Sequence, residues 1–133
     1  MSENIVDQIT ELIFSKKGYD VKILDLRELT TIADYFIICT GDSETQVKAI
    51  ADEVDKKMRE MGVKSWHTEG YRGLNWVLVD FVDVVVHIFK KETRDFYNLE
   101  KLWGDAPTVI AEDPLLIKPV KKKPGRPKKI KTE

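Results

Sequence analysis

Tyr35 to Thr40 is a continuous apolar run with aromatic and β-branched members, and Gly41-Asp42-Ser43 follows it directly. A strand without polar alternation reads as a central one, covered on both faces. Beyond it Val47, Ile50, Ala51, Val54, Met58 and Met61 recur at steps of three and four, one stripe of a helix. Ser43 with Gln46 three residues on has the form of a capping box, and Gly62 stands where the helix should close. A doubly covered strand that feeds a helix belongs to an α/β fold.

The remaining pattern extends this frame. From Asn4 to Lys17, Ile5, Ile9, Leu12 and Ile13 repeat at helical spacing, with Gly18 at the expected C-cap. Val21–Leu26, Lys64–Glu69, Asn75–Phe81 and Asp83–Lys90 read as strands, the last two joined by a tight turn around Val82 and Asp83 and hence antiparallel. Thr93 is placed to cap a short helix through Phe96, Leu99, Leu102 and Trp103. After Gly104 regularity fades. The order predicts a mixed sheet of about five strands flanked by helices. Along the strand from Asn75, alternation sets Trp76, Leu78 and Asp80 on one face and Val77, Val79 and Phe81 on the other. Both faces are apolar, so helices cover one and the other is open to a partner.

Length and charge divide the chain. Its 133 residues suit one globular unit, and 42% apolar with 34% charged residues is a composition that packs a core. Residues 118–133 carry eight basic side chains against Glu133, net +7, which leaves residues 1–117 at −8. The expected division is therefore an α/β domain over 1–117 and a basic, disordered tail over 118–133. The apolar runs are far shorter than the ~18 residues of a membrane span, and no secretory signal precedes the first helix. A single cysteine, Cys39, rules out an internal disulfide and suits a reducing cytosol.

Catalytic chemistry finds little support. Cys39 lies inside the most apolar strand, where a thiol is a small inert hydrophobe. His67 and His87 are not spaced as a ligand pair, and His87, in an apolar strand, reads as a histidine hydrogen-bonded in place. No metal site and no cofactor are expected. Thr40-Gly41-Asp42-Ser43 occupies the strand-to-helix position of a nucleotide-binding turn, but it lacks G-x-G-x-x-G and a P-loop lysine. Asp42 would set a negative charge against a phosphate, and capping accounts for Asp42 and Ser43. Asp25, Asp34, Asp80 and Asp83 supply no pair of acids for magnesium; Asp80 and Asp83 flank a turn.

Several strings taken together resemble a known family. Asp34-Tyr35-Phe36-Ile37-Ile38-Cys39-Thr40-Gly41-Asp42-Ser43, Glu69-Gly70, Trp76-Val77-Leu78-Val79-Asp80, Val84-Val85-Val86-His87-Ile88-Phe89 and Arg94-Asp95-Phe96-Tyr97-Asn98-Leu99-Glu100-Lys101-Leu102-Trp103 stand in the order and spacing of the ribosomal silencing factor (RsfS, Iojap-like) family, over about residues 3 to 105. The resemblance implies a nucleotidyltransferase-like fold without the catalytic acids, and no enzyme activity. It implies a cytoplasmic translation repressor that binds the 50S ribosomal subunit. There it docks on the large-subunit ribosomal protein numbered fourteen and blocks joining of the small subunit when nutrients are scarce. Family members also form homodimers, which an apolar sheet face allows.

By the same resemblance the ribosomal-protein-binding residues are Trp76, Leu78, Asp80, His87, Tyr97, Glu100 and Trp103. Phe96, Leu99 and Trp103 have a second use open to them, pinning the last helix to the sheet. Val82 stands where the family usually has Gly in the hairpin turn, which leaves the turn type open. The tail is additional to the family core. Its Lys123-Pro124-Gly125-Arg126-Pro127-Lys128-Lys129 resembles an AT-hook. On a ribosome-bound factor, Lys121, Lys122, Lys123, Arg126, Lys128 and Lys129 form an RNA-binding tail that touches ribosomal RNA phosphates, with affinity falling as salt rises. The alternative reading is a nucleic-acid-binding protein driven by that tail.

Overall fold

The structure, a computed structural model, describes residues 2–113; the basic tail and the C-terminal prolines from Pro114 onward lie outside the described residues. The elements run α1 (Ser2–Ser15), β1 (Tyr19–Asp25), β2 (Tyr35–Gly41), α2 (Glu44–Glu60), β3 (His67–Glu69), β4 (Trp76–Asp80), β5 (Val84–Lys90), α3 (Lys91–Tyr97), α4 (Leu99–Leu102) and β6 (Thr108–Ala111). They form a mixed α/β fold around one sheet ordered β3-β4-β5-β2-β1-β6. Only the β2–β5 pairing is parallel. β2 is central, as its unbroken apolar sequence requires, and every one of its residues is buried.

The sheet has six strands rather than five. β6 pairs antiparallel with the outer edge of β1, Leu24 opposite Thr108 and Val21 opposite Ala111, in the stretch where the sequence pattern fades. α1 and α2 cover one face, packing Ile9, Ile13, Val47, Ile50 and Val54 onto Ile37, Cys39, Val77, Val79, Val86 and Ile88. The second face carries Leu24, Phe36, Ile38, Val85 and Phe89, with Leu99 lying on them and Trp76, Leu78 and Trp103 only partly covered.

The caps show how local sequence closes each helix. Gly62 adopts φ 91° and its N–H donates to Arg59 O (3.0 Å) while Val63 N–H reaches Met58 O (2.8 Å), a left-handed C-cap where one is expected. At the end of α1 the left-handed residue is Lys17 (φ 69°) rather than Gly18. Gly18 is needed for space instead: a Cβ there would lie 2.5 Å from Ile13 Cγ2. Ser43 Oγ caps α2 by accepting Gln46 N–H (3.1 Å). The Gln46 side chain, however, accepts from Asp42 N–H (2.6 Å) and donates to the carbonyls of Lys16 and Lys17 (3.2 and 2.9 Å), so it ties α2 to the end of α1.

The last helix also differs from its sequence reading. Thr93 does not cap it; α3 starts at Lys91 from Lys90, which makes no side-chain cap. Asn98 then turns left-handed (φ 48°) and splits one expected helix into α3 and α4. Phe96 and Leu102 consequently stay exposed, and Leu99 alone of the expected stripe is buried.

The β4–β5 turn settles the question that Val82 raised. Asp83 N–H donates to Phe81 O (3.0 Å) across Val82, whose φ is 77°. This is a γ-turn with positive φ at its centre, a strained form for a β-branched residue. Val82→Gly should therefore raise stability by about 1 kcal/mol, strain relief exceeding the entropy of glycine. Thermal unfolding should show a Tm roughly 3 °C higher; a lower Tm would mean that the turn is not strained.

Candidate functional site

The open face is built around Trp76. β4 alternates buried Val77 and Val79 under α2 with partly exposed Trp76, Leu78 and Asp80 on the other side. The indole stacks on Phe89 (4.9 Å between centroids, 26°) and tilts against Tyr97 (4.8 Å, 46°). Its Nε1–H donates to Nδ1 of His87 (3.1 Å), on the neighbouring strand. His87 in turn meets the edge of Phe36 (4.5 Å), and Phe36 meets Trp103 (5.8 Å). Trp76, Leu78, Tyr97 and Trp103 thus share one face, with His87 buried beneath it and Leu78 directly opposite His87 in the β4–β5 register.

Position 70 keeps Trp76 in place. Gly70 has φ 91°, and a Cβ on it would fall 1.9 Å from the Trp76 carbonyl oxygen, so the 70–75 loop closes tightly only with glycine. Between this loop and α3 opens a cleft of about 380 Å³, with Leu74, Trp76, Phe96 and Tyr97 among its walls. Phe96 is 80% exposed and Tyr97 50%, so the cleft has an apolar rim. Exposed aromatic surface of this kind suits protein contact.

Two of the sequence-selected acids serve other partners. Asp80 Oδ1 accepts Val82 N–H (2.7 Å) and so shapes the γ-turn, while its Oδ2 lies 3.7 Å from His67. Glu100 lines a different cavity from Trp76, with Lys22, Thr40 and Arg94. Its Oε2 accepts from Arg94 Nε and Nη2 (3.1 and 2.8 Å), with Lys22 Nζ at 3.6 Å. Arg94, to which the sequence pattern assigns no role, is buried; its Nη1 also donates to Thr40 Oγ1 (2.7 Å) and the Asp20 carbonyl (2.5 Å). It anchors the α3–α4 elbow, and with it Tyr97 and Trp103, to β1 and β2.

The alternatives to a docking surface are poor in chemistry. Burial pushes the Cys39 thiol up to about 12, far from a nucleophilic thiolate. Burial drives His87 down to about 4, so it is a neutral ring hydrogen-bonded in place. In the Gly41 turn, Asp42 accepts the Tyr19 hydroxyl (2.6 Å) rather than capping α2, which holds the phenol up at about 12. The Asp42 carboxylate is thus engaged by β1. Among the described residues no group of three or more His, Cys, Asp or Glu is arranged to hold a metal ion, and no helix is long and apolar enough to cross a membrane.

Comparison with known proteins places this architecture. Residues 1–133 match the family model described as ribosomal silencing factor during starvation, RsfS. The chain belongs to the RsfS family. It is 46% identical over 111 residues to the ribosomal silencing factor RsfS of Halalkalibacterium halodurans, covering 84% of this chain and 95% of that one. To RsfS of Bacillus subtilis it is 50% identical over 92 residues, 69% of this chain and 78% of the other. A crystal structure of a Chromobacterium violaceum protein superposes with a TM-score of 0.75 at 42% identity, over 77% of this chain and 85% of that one. The RsfS match takes in the tail as well as residues 3 to 105, where the sequence motifs lie.

Proposed function

We propose that this protein is a non-catalytic, cytoplasmic translation repressor that docks through its Trp76 face on the large ribosomal subunit, at the ribosomal protein numbered fourteen, and so keeps the small subunit from joining. The observation that carries this reading is an aromatic surface left half-open on a sheet whose other face is sealed by α1 and α2. Its relatives are named ribosomal silencing factors, and occlusion asks only for a surface of the right shape and place. The body at −8 suits a basic protein surface, and the +7 tail suits the RNA around it.

Trp76→Ala tests the face. Purified variant, checked for folding by circular dichroism, should co-sediment with large subunits at least ~30-fold more weakly, as for an interface aromatic contributing ≥ 2 kcal/mol. Tyr97→Ala, a half-exposed position, should weaken binding without touching the core. Unchanged binding of both variants would remove the face from the mechanism. A chain cut before Lys118 should keep salt-tolerant binding to large subunits alone. Binding lost altogether with the tail would instead favour a nucleic-acid-binding protein.

A further inference from the structure

Two buried side-chain nitrogens find no hydrogen-bond partner among the described residues, His67 Nδ1 and His87 Nε2. The first has Asp80 Oδ2 at 3.7 Å. His87 Nδ1 accepts the Trp76 indole N–H (3.1 Å), and an accepting nitrogen on a neutral ring leaves the proton on the other. Nε2 is therefore an N–H donor with no acceptor among the described residues, and the residue is 4% exposed. The ring of Phe36 lies against it (4.5 Å between centroids), that of Phe89 is 6.4 Å away, and its cross-strand neighbours are Leu78 and Ile38. None of those side chains offers an acceptor. Buried donors are seldom left unmatched, and one that persists calls for a use.

We infer that the Nε2–H of His87 is the specificity donor of the docking face, completed in the complex by a carbonyl oxygen of the ribosomal protein surface that covers Trp76 and Leu78. This rests on the docking reading above. The acceptor is a neutral carbonyl rather than a carboxylate because the body carries −8 and disfavours an acidic partner. Leu78 is only partly buried and lies directly opposite His87 on β4, so in this proposal the partner reaches the ring by moving the Leu78 side chain aside. A partner that is merely apolar would leave the donor unmatched beneath the contact, so the buried N–H selects among apolar surfaces.

The test replaces His87 in the full chain by 4-thiazolylalanine, which keeps a ring nitrogen opposite the Trp76 indole and exchanges Nε2–H for sulfur. Kd for purified large subunits should rise about tenfold, while the Tm of the free protein stays level or rises. His87→Gln, whose amide reaches the Nε2 position, should bind more tightly than the thiazolyl variant. Wild-type affinity in the thiazolyl variant overturns the inference. So does a marked fall in its Tm, which would reveal an internal partner for Nε2. Trp76→Ala, measured alongside, separates the two readings: if it weakens binding and the thiazole does not, only the His87 assignment fails; if neither weakens binding, the docking face itself is wrong.

Discussion

Arg94→Met is expected to lower the free energy of unfolding by about 2 kcal/mol in urea at neutral pH, because removing the buried partner of a half-buried ion pair leaves the other without its main partner. The Arg94 side chain is 8% exposed, and its guanidinium meets Glu100, Thr40 and the Asp20 carbonyl. Burial alone would raise the Glu100 pKa; the hydrogen bond and charge of Arg94, with smaller parts from a backbone hydrogen bond and Lys22, outweigh it and hold the carboxyl below its usual range. Without Arg94, Glu100 keeps a backbone hydrogen bond and Lys22 at 3.6 Å, and the buried Thr40 hydroxyl loses the guanidinium. Arg94→Met/Glu100→Gln should recover part of the loss, since the stranded charge is gone. Amide exchange should rise first over residues 94–103, the elbow that bears Tyr97 and Trp103. A loss under about 1 kcal/mol would mean that water replaces the guanidinium without penalty.

That cluster marks the boundary of what the sequence discloses. Burial that follows chain periodicity was legible: β2 as an unbroken apolar run, α2 from its stripe and caps, and the two-faced alternation of β4 that brings out Trp76 and Leu78. Contacts set by topology were not. Besides Glu100, Arg94 finds partners 54 and 74 residues away, and no local pattern separates it from a solvated helix charge. β6 escaped for a related reason. Val109 and Ile110 are both more than half exposed, so no alternation marks the strand, which forms because β1 offers an unpaired edge. The split at Asn98 was hidden because Phe96, Leu99 and Leu102 keep helical spacing across it. Only the left-handed tolerance of asparagine hinted at a turn.

His87 was legible as a histidine hydrogen-bonded in place, but its energetic consequence emerges only from the packed face. Its pKa falls from 6.5 to about 4, and burial is the sole cause. Between those values the unfolded chain takes up a proton that the folded chain refuses, so acidification favours unfolding. The sign is fixed: stability is highest above pH ~6.5 and declines down to pH ~4, by up to about 3 kcal/mol from this residue. The carboxylates with lowered pKa, Asp25 and Glu100, also withdraw stability on acidification, but through a lower range, as each passes its ordinary value near 4 and below. Denaturation midpoints of the native chain and of His87→Gln, compared from pH 7 to pH 4, isolate the imidazole. The native chain should lose the larger share of its stability in this window, and the difference between the two should narrow as pH falls. Parallel curves would show that the ring protonates freely in the folded protein. The Trp76–His87 hydrogen bond, whose acceptor nitrogen must stay unprotonated, would then not hold as the geometry has it.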